Sequence, residues 1–380
     1  MASHANTLDI EEIQRYVNDN GPLHDALGVS RETLLTLTPF AQGEYNVNFA
    51  FEVPGDSPAS LPDTPTASHS PVTARRLLLR VNLGSQMHLD DQIGYEFAAL
   101  RLLEPSGRTP RPLYVDSSRT RLPYGVGVEE WLPGRALRYE TDLAEAARIL
   151  ADVHAVPVPA SPESTPLVAP PHPIADIARE CGEMYAVYQA WSQADPQVLR
   201  RIDALFARVR RIANDDLRRP EPAWNQRHIV NTEVNSSNFL IEDAEDGGAS
   251  GQPASVKHDQ QKRSHLVDWE KPVLGEVEQD LAHFLAPTTT FWKTDVILTQ
   301  PQVDEFVDLY ARAVDGRFPL NGLRERLGGY LTATCLRGVT WCAMALTEYS
   351  APGRAVTNAD TLAKIKDYLT PDFLDGLLER

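Results

Sequence analysis

The sequence predicts an α+β protein in two lobes, a small N-terminal lobe built on an antiparallel sheet and a larger, mainly helical C-terminal lobe. Three observations carry this expectation. Period-two alternation of apolar residues occurs twice early in the chain, at 47–53 and 77–83, as half-buried strands require. Apolar residues fall at helical spacing in the segment after Thr141, at 143–154, and again through the C-terminal third. Within that helical part, two short apolar runs end in oxygen-bearing side chains, at 233–238 and 268–270. With 380 residues, 42% hydrophobic and 23% charged, the chain can bury one large core or two lobes. The expected boundary lies near Leu132, dividing residues 1–132 from 133–380.

In the first strand Val47, Phe49, Phe51 and Val53 alternate with Asn46, Asn48 and Ala50. Residues 42–46 form the turn that enters it. Gly43 in that turn permits close backbone approach because it lacks a side chain, although a plain hairpin turn explains it equally well. On the next strand Leu77, Leu79, Val81 and Leu83 form one face and Leu78, Arg80 and Asn82 the other. A helix with Ile93, Phe97, Leu100 and Leu103 on one stripe follows, and Glu96 sits at the edge of that stripe. An acid there calls for a cation, so an Arg80–Glu96 ion pair is expected; the alternative is an ordinary surface acid and strand arginine. Residues 126–131, with Glu130 near the end, read as a strand leading into the connection between lobes.

Thr141 is placed to cap the next helix, with Asp142 favourable at its positive end. Leu143, Ala147, Leu150 and His154 share one face of it, which gives His154 the spacing of a core histidine. Near the C-terminus, Leu331, Cys335, Val339, Cys342 and Leu346 form a core-facing stripe, and Trp341 lies off it. Trp341 either packs or helps enclose a cationic group. Three Pro-, Ser- or Gly-rich stretches, 54–73, 157–173 and 243–264, read as loops.

Composition excludes some functions. A formal charge of −17 argues against a protein that grips nucleic-acid backbones and favours cationic over anionic partners. Three cysteines, Cys181, Cys335 and Cys342, suggest neither a disulfide framework nor a zinc site. The first twenty residues carry Asp9, Glu11 and Glu12 and lack a secretory pattern, and the apolar run at 330–346 is interrupted by Arg337 and several threonines. A cytoplasmic protein without a membrane partner is therefore expected; the oligomeric state is left open.

The chemistry resides in Glu233, Asn238 and Asp268. Magnesium takes hard oxygen ligands, commonly one or two from the protein plus phosphates and water, so Asn238 and Asp268 suffice to hold Mg²⁺. Glu233 then remains to receive the proton of a substrate hydroxyl. Alternatively, Glu233 and Asn235 are exposed turn residues, with Asn238 bonding its own backbone.

The segment 229–241, with Asn231-Thr232-Glu233 and Asn238, resembles the catalytic loop of aminoglycoside phosphotransferases and choline-type kinases, small-molecule enzymes with a protein-kinase-like fold. That loop usually reads His-Gly-Asp with Asn five residues after the Asp; here the spacing is kept and the base is Glu. Val267-Asp268-Trp269-Glu270 is similar to the family's metal-binding segment, Gly275 and Asp280-Leu281-Ala282 to its following helix, and Leu150-Ala151-Asp152-Val153-His154 to a helix end of its larger lobe. The resemblance runs from about Leu35 to Leu346. It implies transfer of the γ-phosphate of ATP or GTP to a small hydroxylated acceptor such as an aminoglycoside, amino alcohol or sugar. It also implies Glu233 as catalytic residue, Asn238 and Asp268 as Mg²⁺ ligands, and Gly43, Asn46, Arg80, Glu96 and Glu130 on the nucleotide side, with Arg80 neutralising phosphate charge. Asp280 would cap its helix and tether the catalytic loop. Two other readings stay open: a catalytically silent pseudokinase that binds nucleotide, and a metal-dependent hydrolase, for which histidine ligands are missing.

Overall fold

The alternation at 47–53 becomes a real strand in a five-stranded antiparallel sheet. In the computed structural model, residues 8–43, 45–55, 74–243, 263–351 and 359–380 are described, so most of the loops expected at 54–73 and 243–264 lie outside the described residues. The described residues form two compact units. The first comprises those of Met1–Glu104, Thr109–Pro133 and Trp269–Lys271, and the second those of Pro105–Arg108, Gly134–Asp268 and Pro272–Arg380.

The first unit starts with two short helices, α1 (Ile10–Asn18) and α2 (Gly21–Leu27). Asp9 caps α1 by accepting the Glu11 and Glu12 N–H groups, Asn20 caps α2 through Leu23 N–H, and Gly28 ends α2 in the left-handed conformation that glycine tolerates. Then follow β1 (Thr38–Gln42), β2 (Asn46–Val53), β3 (Arg75–Asn82), α3 (Gln92–Leu103), β4 (Pro112–Asp116) and β5 (Gly125–Glu130). The strand order is β1-β2-β3-β5-β4. Ile13, Val17 and Leu23 of the two helices share one apolar cluster with Phe49, Phe51, Leu77, Leu79, Val126 and Val128. Leu83, expected on that face, is 41% exposed because β3 stops at Asn82 and the alternation has no strand to act on.

The other face of β5 carries Gly125 and Gly127, since side chains alternate along a strand. A Cβ on Gly127 would run into the Phe97 ring of α3, and one on Gly125 would lie 2.6 Å from the Ile93 side chain. These two glycines let α3 lie close on the sheet. Gly127 is the register partner of Arg80 on β3, so the same close approach brings Glu96, the neighbour of Phe97, within reach of Arg80.

The second unit is mainly helical: α4 (Leu143–His154), α5 (Pro173–Gln189) and α6 (Pro196–Arg218) precede a cluster of short strands. These are β6 (His228–Val230), β7 (Phe239–Leu240), β8 (His265–Leu266) and β9 (Val273–Gly275), paired antiparallel as β6 with β9 and β7 with β8. Then come α7 (Glu278–Leu285), α8 (Pro287–Lys293), α9 (Gln300–Val314), α10 (Leu323–Tyr349), α11 (Ala359–Tyr368) and α12 (Pro371–Leu378). Asp142, not Thr141, stands at the N-terminus of α4; its carboxylate accepts the Arg138 N–H and pairs with Arg135, while Thr141 donates its hydroxyl to it. The stripe expected on α10 buries Cys335, Val339 and Cys342, but Thr332, Thr334, Leu336 and Thr340 are buried too, because this helix packs against α5, α6 and α7 rather than on one side. Among the described residues, no helix is long and apolar enough to cross a membrane.

Replacing Gly127 by Ala should destabilise the protein by about 1–3 kcal/mol, the usual cost of forcing atoms into a packed interface. Urea denaturation measures this, and an unchanged midpoint would contradict the packing described for α3.

Candidate active site

The loop from Asn231 to Asn238 joins β6 to β7, and hydrogen bonds set its course. Asn231 is fully buried and works in two directions: Nδ2 donates to the Asp268 carbonyl (2.9 Å), and Oδ1 accepts the Glu233 N–H (3.1 Å). Thr232 adopts a φ of 67°, a left-handed conformation that costs a β-branched residue about 1–2 kcal/mol. This is the position at which the resembling family has glycine. The strained turn is held by Asp280, whose carboxylate accepts the N–H of Asn231 (2.9 Å) and of Thr232 (2.7 Å).

Asp280 lies in the first turn of α7 with Val277 at the cap position, so the expected helix cap is corrected; its expected tether to the loop is present. It is wholly buried and also accepts from His154 Nε2 (3.1 Å), whose Nδ1 lies 2.8 Å from the Tyr310 hydroxyl. His154 is thus a core histidine. Its ring orients the acid that orients the loop.

Glu233 is fixed through its backbone at both ends. Its N–H reaches Asn231, and its carbonyl accepts from Nδ2 of Asn235 and of Asn238, each at 3.1 Å. Both asparagines thus bond the backbone of their own loop, and Asn235 Oδ1 also accepts from the Ser237 N–H and hydroxyl. Asn238 is buried, and because its Nδ2 donates to a carbonyl, which cannot itself donate, its Oδ1 is the atom turned the other way. The Asn238 carbonyl accepts the Val267 N–H (2.8 Å), so the segments bearing Glu233, Asn238 and Asp268 are laced together. Asp268 is exposed and has a φ of 65°. An amide oxygen and an exposed carboxylate on interlocked backbones form an oxygen donor set that fits Mg²⁺ completed by phosphates and water. Among the described residues no group of three or more His, Cys, Asp or Glu is arranged to hold a metal.

In the first unit, Asn46, Arg80 and Glu96 come together. Arg80 Nε lies 3.0 Å from Glu96 Oε2, and both side chains are buried. Arg80 Nη2 lies 2.6 Å from Glu270 Oε1, which also accepts from Asn46 Nδ2 at 2.5 Å. Gln92 braces the group by donating to Glu96 Oε1 (2.9 Å) and the Glu270 carbonyl (2.7 Å), and Asn82 donates to Asn46 Oδ1 (3.0 Å). Gly43 closes the preceding turn through its N–H to the Asn46 carbonyl (2.8 Å), but a Cβ there would find only ordinary contact at 3.6 Å, so the turn does not demand glycine. Glu130 lies at the end of β5 opposite Leu77 and takes no part in the cluster's hydrogen bonds among the described residues.

Sequence reasoning missed Glu270 as a partner of Arg80 and missed Arg337, whose Nη2 on α10 lies 3.7 Å from Glu233 Oε1. No local pattern announces either contact. It also left Trp341 undecided: its ring meets Trp292 edge-on at 5.3 Å and it remains 38% exposed. His283, one turn along α7 from Asp280, donates from Nδ1 to the Val234 carbonyl (2.8 Å), and burial lowers its pKa, which keeps the ring neutral beside the loop. A cavity of about 190 Å³, lined by Leu205, Val303 and Leu327 together with Arg208, Asp304 and Arg324 among others, contains none of these residues.

Asp280→Ala should cost about 3–5 kcal/mol, the range found when a buried, hydrogen-bonded charge is removed and its partners are stranded. Chemical denaturation checks this; a loss below about 1 kcal/mol would mean that water satisfies the loop equally well.

The fold is shared with known proteins. Solved structures similar to the chain include a choline/ethanolamine kinase family protein from Mesorhizobium loti, 16% identical, covering 97% of this chain and 97% of that one with a TM-score of 0.52. The ethanolamine kinase of Plasmodium vivax is 14% identical over 95% and 88% of the two chains, with a TM-score of 0.55. Spectinomycin phosphotransferase, solved with ADP and spectinomycin, is 12% identical over 91% and 92%, with a TM-score of 0.52. At these identities the likeness is one of fold, a small antiparallel-sheet lobe and a larger helical lobe of the protein-kinase-like kind. No curated protein matches in sequence. The phosphotransferase enzyme family, APH, matches residues 37–251, more than half of the sequence, and the chain belongs to that family.

Proposed function

We propose that the protein transfers the γ-phosphate of ATP or GTP to a hydroxyl of a small molecule, an aminoglycoside, amino alcohol or sugar-like metabolite. The observation that carries this reading is the interlocked loop, in which Glu233, Asn238 and Asp268 sit on segments bound to one another through Asn231, Asn238 and Val267. Family membership supports the reaction class.

In this proposal Asn238 Oδ1 and the Asp268 carboxylate are the protein's ligands to Mg²⁺, which when bound neutralises phosphate charge. The Glu233 carboxylate orients the acceptor hydroxyl and takes its proton as that oxygen attacks the γ-phosphorus. The O–H bond breaks, a P–O bond to the acceptor forms, and the bond between the γ-phosphorus and the bridging oxygen breaks to release the nucleoside diphosphate. The first unit, whose residues up to about Leu132 we assign to the nucleotide, contributes Arg80, whose guanidinium is shared between Glu96 and Glu270. Phosphoryl transfer depends on position and electrostatics, so a glutamate serves in place of an aspartate where its longer side chain is held.

A second reading, a silent nucleotide-binding module, draws on the strained Thr232 turn and the altered base. One experiment separates the two. The protein is incubated with Mg-ATP or Mg-GTP and a panel of amino alcohols, sugars and aminoglycosides, and release of diphosphate is followed. Acceptor-dependent release is expected, and Glu233→Gln should lower kcat by about 100-fold or more, as loss of a general base does, while nucleotide still binds. Retained turnover in that variant excludes Glu233 as the base. Nucleotide binding without product from any acceptor favours the silent module.

A further inference from the structure

The Glu233 backbone is fixed at three points, but its carboxylate stands three rotatable bonds away. A glutamate side chain loses up to about 1.5–2 kcal/mol of rotamer entropy when held in one place, so an ordered base needs a group that restrains its far end. Arg337 supplies one. Its Nη2 lies 3.7 Å from Glu233 Oε1, while its Nε lies 3.3 Å from Glu180 Oε2 on α5. Different nitrogens of one rigid guanidinium face the two acids, so both are engaged together.

The distances differ in meaning. At 3.3–3.4 Å the Glu180 contact is within hydrogen-bonding range, whereas 3.7 Å to Glu233 is a charge contact beyond it. Glu180 therefore anchors the guanidinium, and the guanidinium steers Glu233 without taking a lone pair from it. Exposure grades the same way: the Arg337 side chain is 20% exposed, Glu233 30% and Glu180 42%, so the central cation is the most shielded of the three. Partial burial makes such a pair stronger than one on an open surface. Helix α10 packs along α5 and against α7, which carries Asp280, so the cation and the loop's tether share one rigid support.

We propose that Arg337 is a positioning residue for Glu233, held in turn by Glu180; this rests on Glu233 being the base. It offsets the added methylene of a glutamate by restraining the carboxylate from the helical side.

The test is a kinetic double-mutant cycle on the full chain. Diphosphate release from Mg-ATP is measured with the acceptor panel described above for wild type, Arg337→Met, Arg337→Lys, Glu233→Gln and the Arg337→Met/Glu233→Gln double variant. Arg337→Met should lower kcat about 10- to 100-fold and leave KM for ATP within about twofold, because only an interaction at the reacting group is lost. Arg337→Lys should recover part of that rate. The double variant should be no slower than Glu233→Gln alone, since residues that act as a unit are not additive. Glu180→Gln, a milder change that leaves Arg337 in place, should lower kcat about 3- to 10-fold, and urea denaturation reports whether each variant folds. Multiplicative losses in the double variant, or a raised KM with kcat unchanged, would overturn the proposal. Absence of product from wild type with every acceptor would instead end the Glu233 reading, and this role with it.

Discussion

The Asp280 carboxylate is the constraint on which the second unit's site depends. A wholly buried carboxylate is costly unless its lone pairs are used, and here they are taken by two loop N–H groups and the His154 ring. Those N–H groups belong to Asn231 and Thr232, so one side chain fixes the turn immediately before Glu233. The same bonds hold Thr232 in a conformation it would otherwise leave. From that turn the order spreads outward: Asn231 secures Asp268, Asn238 secures the Glu233 carbonyl, and Val267 closes the circuit to Asn238.

A different constraint governs the first unit. Two glycines on one face of β5 remove the side chains that would keep α3 away, and the helix that settles there carries both Phe97 and Glu96. Apolar packing and an ion pair are thus products of one approach. Arg80 lies opposite Gly127 and gains two carboxylate partners, Glu96 and Glu270, so its charge is held by geometry rather than by chance on a flexible surface.

Much of this was legible from residue order. Period two places Arg80 on the face opposite Leu77, Leu79 and Val81, and helical period places Glu96 beside Phe97, so their pairing followed from two local patterns. Asn238 was read either as a metal ligand or as a turn asparagine bonding its own backbone, and its Nδ2 does the latter through the Glu233 carbonyl. Local patterns failed where the fold decided. Leu83 continues an alternation past the end of its strand, Asp142 rather than Thr141 takes the start of α4, and Asp280 sits inside a helix it was expected to cap. Glu270 and Arg337 were out of reach for a deeper reason: each meets its partner across more than a hundred residues, and a charged side chain carries no periodic signal of where it points.

The central claim is that Asn238 and Asp268 present a metal to nucleotide phosphates. It is tested most directly by calorimetric titration of ADP with and without Mg²⁺. In wild type, Mg²⁺ should tighten ADP binding by about tenfold, an ordinary coupling between two ligands of one site, and Asp268→Asn or Asn238→Ala should abolish that gain. The same gain from Mg²⁺ in both variants would contradict the account, because the metal would then be held by other groups.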